Sequence, residues 1–192
     1  MCIRDRYNVL SLKISTNGSL LDDYRLYLLK KFDEVQVSLD AHDKEIYMKI
    51  RGGDFDKVIK NIKTMVDNGI KVVLSFVLMR SNIKYLEKFF ILGKELKVYG
   101  LSFGFFIPTG EGRKILNEVL SYKEIEDVSR KIKRLSEIYK MKVYNSLPEK
   151  IENKPYICPA GNYKFSILPN GAIVPCIYFK DIRIDSKGKL KN

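Results

Sequence analysis

Cysteine and histidine are scarce in this sequence: three cysteines and one histidine among 192 residues. A secreted domain stapled by disulfides would normally carry more cysteine in a smaller chain. A reducing cytosol is therefore the expected setting, where a cysteine pair is more often metal-binding or chance than a disulfide. Long apolar runs are missing too. The longest, such as "KVVLSFVLM", are far too short to cross a bilayer, so neither a transmembrane helix nor a membrane partner is expected. The opening "MCIRDRYNV" has charge but no apolar stretch behind it, which argues against a secretory signal. Its first six residues, "MCIRDR", fit no element and resemble a non-native cloning or adapter scar, so Cys2 is set aside with them. No low-complexity tract is present. Disorder is excluded by composition, because 45% hydrophobic and 30% charged residues describe a globular chain long enough for one good core.

Negative charge is in deficit. The net charge is +12, with 26 lysines against 9 arginines. The lysines are scattered, and "KKF", "IKNIK", "RKIKRL" and "GKLKN" are each interrupted by apolar residues at helical spacing. A solvated lysine-rich surface is the expectation. An extended basic groove for RNA or an acidic peptide is the alternative.

What is present is a βα rhythm. "VLSLKIS" (9–15), "EVQVSL" (34–39), "KVVLSFVLM" (71–79) and "GLSFGFFI" (100–107) read as strands, rich in β-branched and aromatic residues. Amphipathic helices lie between them. In "FDKVIKNIKTMVDNG" the apolar residues Phe55, Val58, Ile59, Ile62, Met65 and Val66 follow the i, i+3, i+4, i+7 rule. Asp54 is placed to cap this helix and Gly69 to end it. "NIKYLEKFFILGKEL" repeats the pattern with Leu86, Phe89, Phe90 and Leu96. "SYKEIEDVSRKIKRLSEIYK" opens with the capping box Ser121-x-x-Glu124, and "MKVYNSL" reads as a further strand. Such a succession predicts parallel strands with crossover helices. Several strands are apolar at nearly every position, as when both faces are buried. The sheet is then open and doubly wound, or part of a barrel. In either case the site is expected at the carboxyl ends of the strands. Those ends read "TNGS", "SLDAHD", "MRSN" and "PTGEG", one polar rim assembled from distant pieces of sequence.

"PEKIENKP" breaks the pattern and leads into "CPAGNYKFSILPNGAIVPC". There Cys158 and Cys176 flank two short strands joined by a "PNGA" turn, in which Gly171 supplies a positive φ. A disulfide, a metal site and coincidence are all open for this pair on residue type alone. Read the same way, Ser38 and Asp40 are loop-capping residues, Arg51 is a solvated turn residue before Gly52–Gly53, and His42 is a surface residue.

In order and spacing, "KISTNGSLL", "VQVSLDAHDKEIYMKIRGG", "VVLSFVLMRSN" and "LSFGFFIPTGEGR" resemble the core of radical S-adenosylmethionine (SAM) enzymes. The cysteine segment resembles the opening of the SPASM or twitch auxiliary domain attached to many of them: Cys158, twelve residues, Gly171, four residues, Cys176. The resemblance spans nearly all of residues 9 to 180. It implies an α/β fold, a partial (β/α)6 TIM-like barrel (strands three to six), followed by the start of a small cysteine-containing β-hairpin domain. It also implies the chemistry. A reduced 4Fe–4S cluster cleaves S-adenosylmethionine, and the 5′-deoxyadenosyl radical removes hydrogen from a peptide, protein or small metabolite. The protein's task is to position the cofactor and exclude side reactions. By position, Ser38 and Arg51 match residues that contact S-adenosylmethionine. Asp40 and Asn17 share that rim, and Asn82 matches as well, although it also precedes a helix and could be its N-cap. Cys158 and Cys176 are implied ligands of an auxiliary iron–sulfur cluster. A reductant such as flavodoxin or ferredoxin is the implied partner. No catalytic residue is assigned.

The chain departs from that family in several places. The strands with the Cys-x3-Cys-x2-Cys loop and the Gly-Gly-Glu motif are missing, and the usual His-Asp ahead of the arginine reads Tyr47–Met48. The expectation is therefore a fragment truncated at both ends: residues 1–6 scar, 7–115 partial core, 116–150 connecting helix and strand, and 151–192 the start of the auxiliary domain. By itself it is expected not to cleave S-adenosylmethionine. A non-catalytic peptide- or metal-binding scaffold is the competing class.

Overall fold

The structure is a computed structural model and describes residues 11–145, 160, 164–177, 183–184 and 190–191. Cys2, Cys158 and the "MCIRDR" stretch lie outside these. The chain divides into two compact units, Met1–Leu147 and Pro148–Asn192.

In the first unit, aspartates start three helices by accepting backbone N–H bonds that the first turn leaves unmatched. Asp22 accepts from Arg25 N (2.8 Å) to open α1 (Asp23–Leu29), and Asp43 from Ile46 N (2.9 Å) to open α2 (Lys44–Ile50). Asp54 accepts from Lys57 N (3.1 Å) to open α3 (Phe55–Asp67). The 3₁₀ turn Ile83–Tyr85 runs into α4 (Leu86–Glu95), and Gly110–Glu118 is also 3₁₀. The expected box closes in both directions at α5 (Tyr122–Ile138): Ser121 N donates to Glu124 at 2.7 Å, and Glu124 N donates back to Ser121 Oγ at 3.3 Å. Helix α3 buries Phe55, Val58, Ile62 and Met65, with Ile59 and Val66 at the margin of the core.

Five strands form one all-parallel sheet in sequential order: β1 (Lys13–Thr16), β2 (Glu34–Ser38), β3 (Val72–Leu78), β4 (Gly100–Phe105) and β5 (Val143–Asn145). The expected "MKVYNSL" strand thus joins the sheet as its fifth member. Alternate residues point to opposite faces, and the core gathers on one of them. Val35, Val37 and Leu39, then Val72, Leu74, Phe76 and Leu78, then Leu101 and Phe103, pack with Val58, Ile62, Phe89, Phe90, Ile132 and Leu135 from the helices. Phe103 sits among three rings, with centroids 5.6 Å from Phe90, 5.9 Å from Phe76 and 6.1 Å from Phe89.

The opposite face differs from expectation. Both faces of β3 are buried at Val72, Val73 and Leu74, but further along only one is. Ser38, Ser75 and Ser102 are half-buried and stand in register across β2, β3 and β4, alongside Gln36 and Glu34. Sequential strand order, helices packed on one face and small polar residues on the other suit a partial barrel. A doubly wound sheet would be covered on both faces.

In the second unit, β6 (Ser166–Ile167) and β7 (Ile173–Val174) pair antiparallel. Gly171 has φ +83°, and its N–H donates to Leu168 O at 2.8 Å, which is the glycine-dependent turn the sequence calls for. A second two-stranded ribbon joins β8 (Arg183–Ile184) to β9 (Leu190–Lys191). Cys176 follows β7 as a half-buried free thiol.

Phe103→Ala empties the ring cluster and is expected to cost about 3–5 kcal/mol. Urea denaturation checks this; a loss under 1 kcal/mol would mean that the cluster is not the core's keystone.

Candidate cofactor-binding site

Strand β2 ends at Ser38, and Asp40 turns the chain sharply. Its φ of +57° lies in the left-handed region that few non-glycine residues adopt. The turn drives its carboxylate inward, leaving the residue 4% exposed. Oδ1 accepts from Val77 N at 2.6 Å, in place of the carbonyl that a longer β2 would have offered. Oδ2 accepts from Arg51 Nε at 2.7 Å. One carboxylate therefore ties β2 to β3 and to the residue that ends α2. Burial pushes the Asp40 carboxyl above its ordinary value, while the Arg51 guanidinium and the Val77 amide pull it down.

Arg51 is held by this contact through Nε. Its side chain is 26% exposed, and neither Nη has a hydrogen-bond partner among the described residues. A guanidinium fixed at one edge presents the other to an incoming carboxylate.

Asn82 is 1% exposed. It does not cap the following 3₁₀ turn, which answers the alternative left open by sequence. Instead Oδ1 accepts from Met79 N at 2.8 Å, and Nδ2 donates to Val77 O at 2.9 Å with a longer contact to Asp40 O at 3.5 Å. Asn82 thus holds the end of β3 from the inside and braces Val77, the residue whose N–H Asp40 grips.

The structure therefore brings Asp40, Arg51 and Asn82 together, with Ser38 two residues away on the open face. Asn17 stands apart at the end of β1, where Oδ1 accepts from Ser19 N (3.0 Å) and Ser19 Oγ (2.8 Å) to form a local turn. Sequence reasoning missed Ser75 and Ser102. The signal was a lone hydroxyl inside each apolar run, at the parity of Ser38. It also missed Arg80, just past β3, which donates to Glu124 (3.1 and 3.2 Å), Asn117 O (3.0 Å) and Val119 O (2.9 Å). Hydrogen bonds from Arg80 and Ser121 hold the Glu124 carboxyl down to about 2, and the strap fastens Asn117–Val119 beside the end of β3.

His42 is not the surface residue expected. Its side chain is 12% exposed, and its ring lies 5.0 Å from that of Tyr85. Nε2 is 2.9 Å from Asp43 Oδ2, while Nδ1 is buried without a partner among the described residues. Burial lowers its basicity, against the pull of Asp43.

Residues 2–92 match the Radical SAM superfamily. A probable GTP 3′,8-cyclase of Saccharolobus islandicus (strain L.S.2.15 / Lassen #1) is 33% identical over 181 residues, covering 93% of this chain and 56% of the relative. The Fe-coproporphyrin III synthase of Methanosarcina barkeri is 36% identical over 115 residues, covering 58% of this chain and 29% of that protein. Among solved structures, Streptococcus suis SuiB bound to S-adenosylmethionine shares the fold with TM-score 0.74 at 17% identity, over 94% of this chain and 45% of SuiB. The chain spans about half the length of the curated cyclase relatives, 56%. Together these comparisons show a likeness to radical SAM enzymes over about half of their length.

The residues present fit one of the two groups such an enzyme uses. Arg51 with Nη groups unpartnered among the described residues, and the half-buried serine hydroxyls in register beside it, suit the amino-acid end of S-adenosylmethionine. For iron, no group of three or more His, Cys, Asp or Glu converges among the described residues.

Asp40→Ala leaves the Arg51 guanidinium and the Val77 N–H without their acceptor and is expected to cost about 2–4 kcal/mol. Asp40→Asn gives a test with a sign. A folded-state pKa above the unfolded one stabilises fully below the unfolded value and loses that contribution as pH rises through the folded value. Relative to Asp40→Asn, the unaltered chain should therefore lose stability as pH rises from the ordinary 3.8. Urea titrations across mildly acidic pH measure the difference; the opposite slope would mean that Arg51 outweighs burial.

Proposed function

We propose that this chain contributes to a radical SAM enzyme, and that the open polar face at the carboxyl ends of β2 and β3 holds the methionine end of S-adenosylmethionine. Arg51 receives the cofactor's carboxylate on its Nη edge, with Ser38 bonding the same polar head. Asp40 orients Arg51, and Asn82 fixes the strand end on which Asp40 is braced. Asn17 lies on the same rim, within its own turn. The observation that carries this reading is the one-edged anchoring of Arg51: Nε is engaged at 2.7 Å by a buried carboxylate, and the Nη groups are left without partners among the described residues. When bound beside a reduced 4Fe–4S cluster, S-adenosylmethionine supplies hydrogen-abstracting radical chemistry.

Within this proposal the parent takes electrons from a reductant such as flavodoxin or ferredoxin. Cys158 and Cys176 are ligands of an auxiliary iron–sulfur cluster in a SPASM- or twitch-like unit; Cys176 is a free thiol at the end of the Gly171 hairpin, and Cys158 lies outside the described residues. The relatives named as cyclases, at 33% identity, favour a small-metabolite substrate over a peptide. The peptide-bound SuiB structure, at 20% identity, is a likeness of fold.

The test uses the whole parent protein, reconstituted anaerobically with iron and sulfide. Arg51→Ala should weaken S-adenosylmethionine binding by about 10- to 100-fold, the equivalent of losing charge-assisted hydrogen bonds shielded from water. Arg51→Lys should restore only part of it, because an ammonium cannot make the paired contact. Unchanged affinity in Arg51→Ala would refute the assignment. Replacing both Cys158 and Cys176 by serine should lower the iron content and bleach part of the visible spectrum; zinc in place of iron would favour a binding scaffold.

A further inference from the structure

The amino ends of the strands carry a second cluster of charge, opposite the rim. Lys13 opens β1 and pairs with Glu34, the first residue of β2, at 2.7 Å, and Tyr144 donates to the same carboxylate at 2.5 Å. Lys142, just before β5, donates to the Tyr99 hydroxyl at 3.0 Å and lies 4.6 and 4.8 Å from the ring centroids of Tyr99 and Tyr144. Lys71 approaches the Tyr99 ring at 5.3 Å. Glu34, the carboxylate of this ladder, is thus already engaged.

Beside the ladder, where α4 and α5 end, a cavity of about 380 Å³ is framed by Lys94, Lys97, Tyr99, Lys140 and Lys142. No carboxylate is among the described residues that line it. No ion pair joins Lys94, Lys97, Lys140 or Lys142 to a described residue. Four exposed lysines line one concavity, and Glu34, the nearest carboxylate to Lys142, is already bonded to Lys13 and Tyr144.

The backbone fixes where two of these lysines stand. Helix α3 leaves through Gly69 at φ +77°, as a left-handed exit favours, whereas α4 and α5 leave through Lys97 at +52° and Lys140 at +45°. A cation near a helix C-terminus complements the helix dipole, but any residue of the last turn meets that preference, and Lys94 already does so in α4. Both exits close as glycine exits do, with Val98 N donating to Gly93 O at 3.1 Å and Met141 N to Ser136 O at 3.0 Å, and they set one lysine from each helix end beside the same concavity.

We propose that this cavity binds an oligophosphate, several closely spaced anionic oxygens, either free or as the phosphate tail of a nucleotide. Lys97 and Lys140 hold it from two helix ends, and Tyr99 orients Lys142 at its side. The proposal does not depend on the S-adenosylmethionine site.

The test is calorimetric titration of the full 192-residue chain with inorganic triphosphate at fixed ionic strength. Saturable one-to-one binding is expected, weakened about tenfold or more in Lys97→Asn/Lys140→Asn, since each lost contact is charge-assisted. Asparagine tolerates the left-handed backbone, so charge is removed without straining the exits. Lys94→Gln, inside a helix, should weaken binding as well and serves if the double variant misfolds by circular dichroism. Lys57→Gln/Lys60→Gln, on exposed α3, removes the same charge and should leave affinity unchanged. Equal loss in both double variants, or no saturation, would overturn the proposal by reducing the effect to a diffuse basic surface. A nucleoside triphosphate that matches inorganic triphosphate indicates a free oligophosphate, and one that binds more tightly indicates a nucleotide. A nucleoside that binds as well as its triphosphate would overturn it.

Discussion

A carboxylate taken out of water must be matched by donors or it destabilises what surrounds it. Asp40 is such a group, and the architecture of the rim follows from how it is matched. Its two oxygens reach a β3 amide and a guanidinium at the end of α2. To place them, the backbone enters the left-handed region immediately after β2. Asn82 holds the other end of the bridge by bonding the main chain on both sides of the β3 terminus. Two buried polar side chains thus do at the strand ends what the ladder does along the strands.

Among the described residues, helices cover one side of the sheet. With every strand parallel and in sequential order, the helices gather their Phe, Leu and Ile side chains against one face. Ser38, Ser75 and Ser102 line the other with hydroxyls. A doubly wound sheet would have buried those serines beneath a second layer. Half-buried rather than sealed, their hydroxyls stay within reach of a polar molecule, while the ring cluster around Phe103 packs the opposite face. Beyond the end of β3, Arg80 fastens the end of the 3₁₀ segment through Asn117 O and Val119 O and is itself held by Glu124 of α5.

Much of this was legible in the sequence, for identifiable reasons. Helix α3 was readable because its apolar spacing, its aspartate cap and Gly69 all agree. The rim was readable as four polar endings after apolar strands, and Asp40, Arg51 and Asn82 were picked from it. Their mutual contacts were not readable, because residues 11 and 42 positions apart meet only once the strands are aligned. Val73 and Val77 on either side of Ser75 make the strand read as apolar at nearly every position, and that pattern does not tell a face closed throughout from one that opens partway along. Residue type suggests a surface place for His42, yet the loop after β2 folds it against Tyr85. The lysine cavity was invisible for the opposite reason: its members look like ordinary solvated charges until two helix ends converge.

If Asp40 aims Arg51 at the cofactor's carboxylate, as proposed, a crystal structure of the whole protein with S-adenosylmethionine bound should show both Nη groups of Arg51 within about 3.2 Å of that carboxylate, with the Nε bond to Asp40 intact. A cofactor carboxylate held by other residues, with Arg51 turned to solvent, would contradict it.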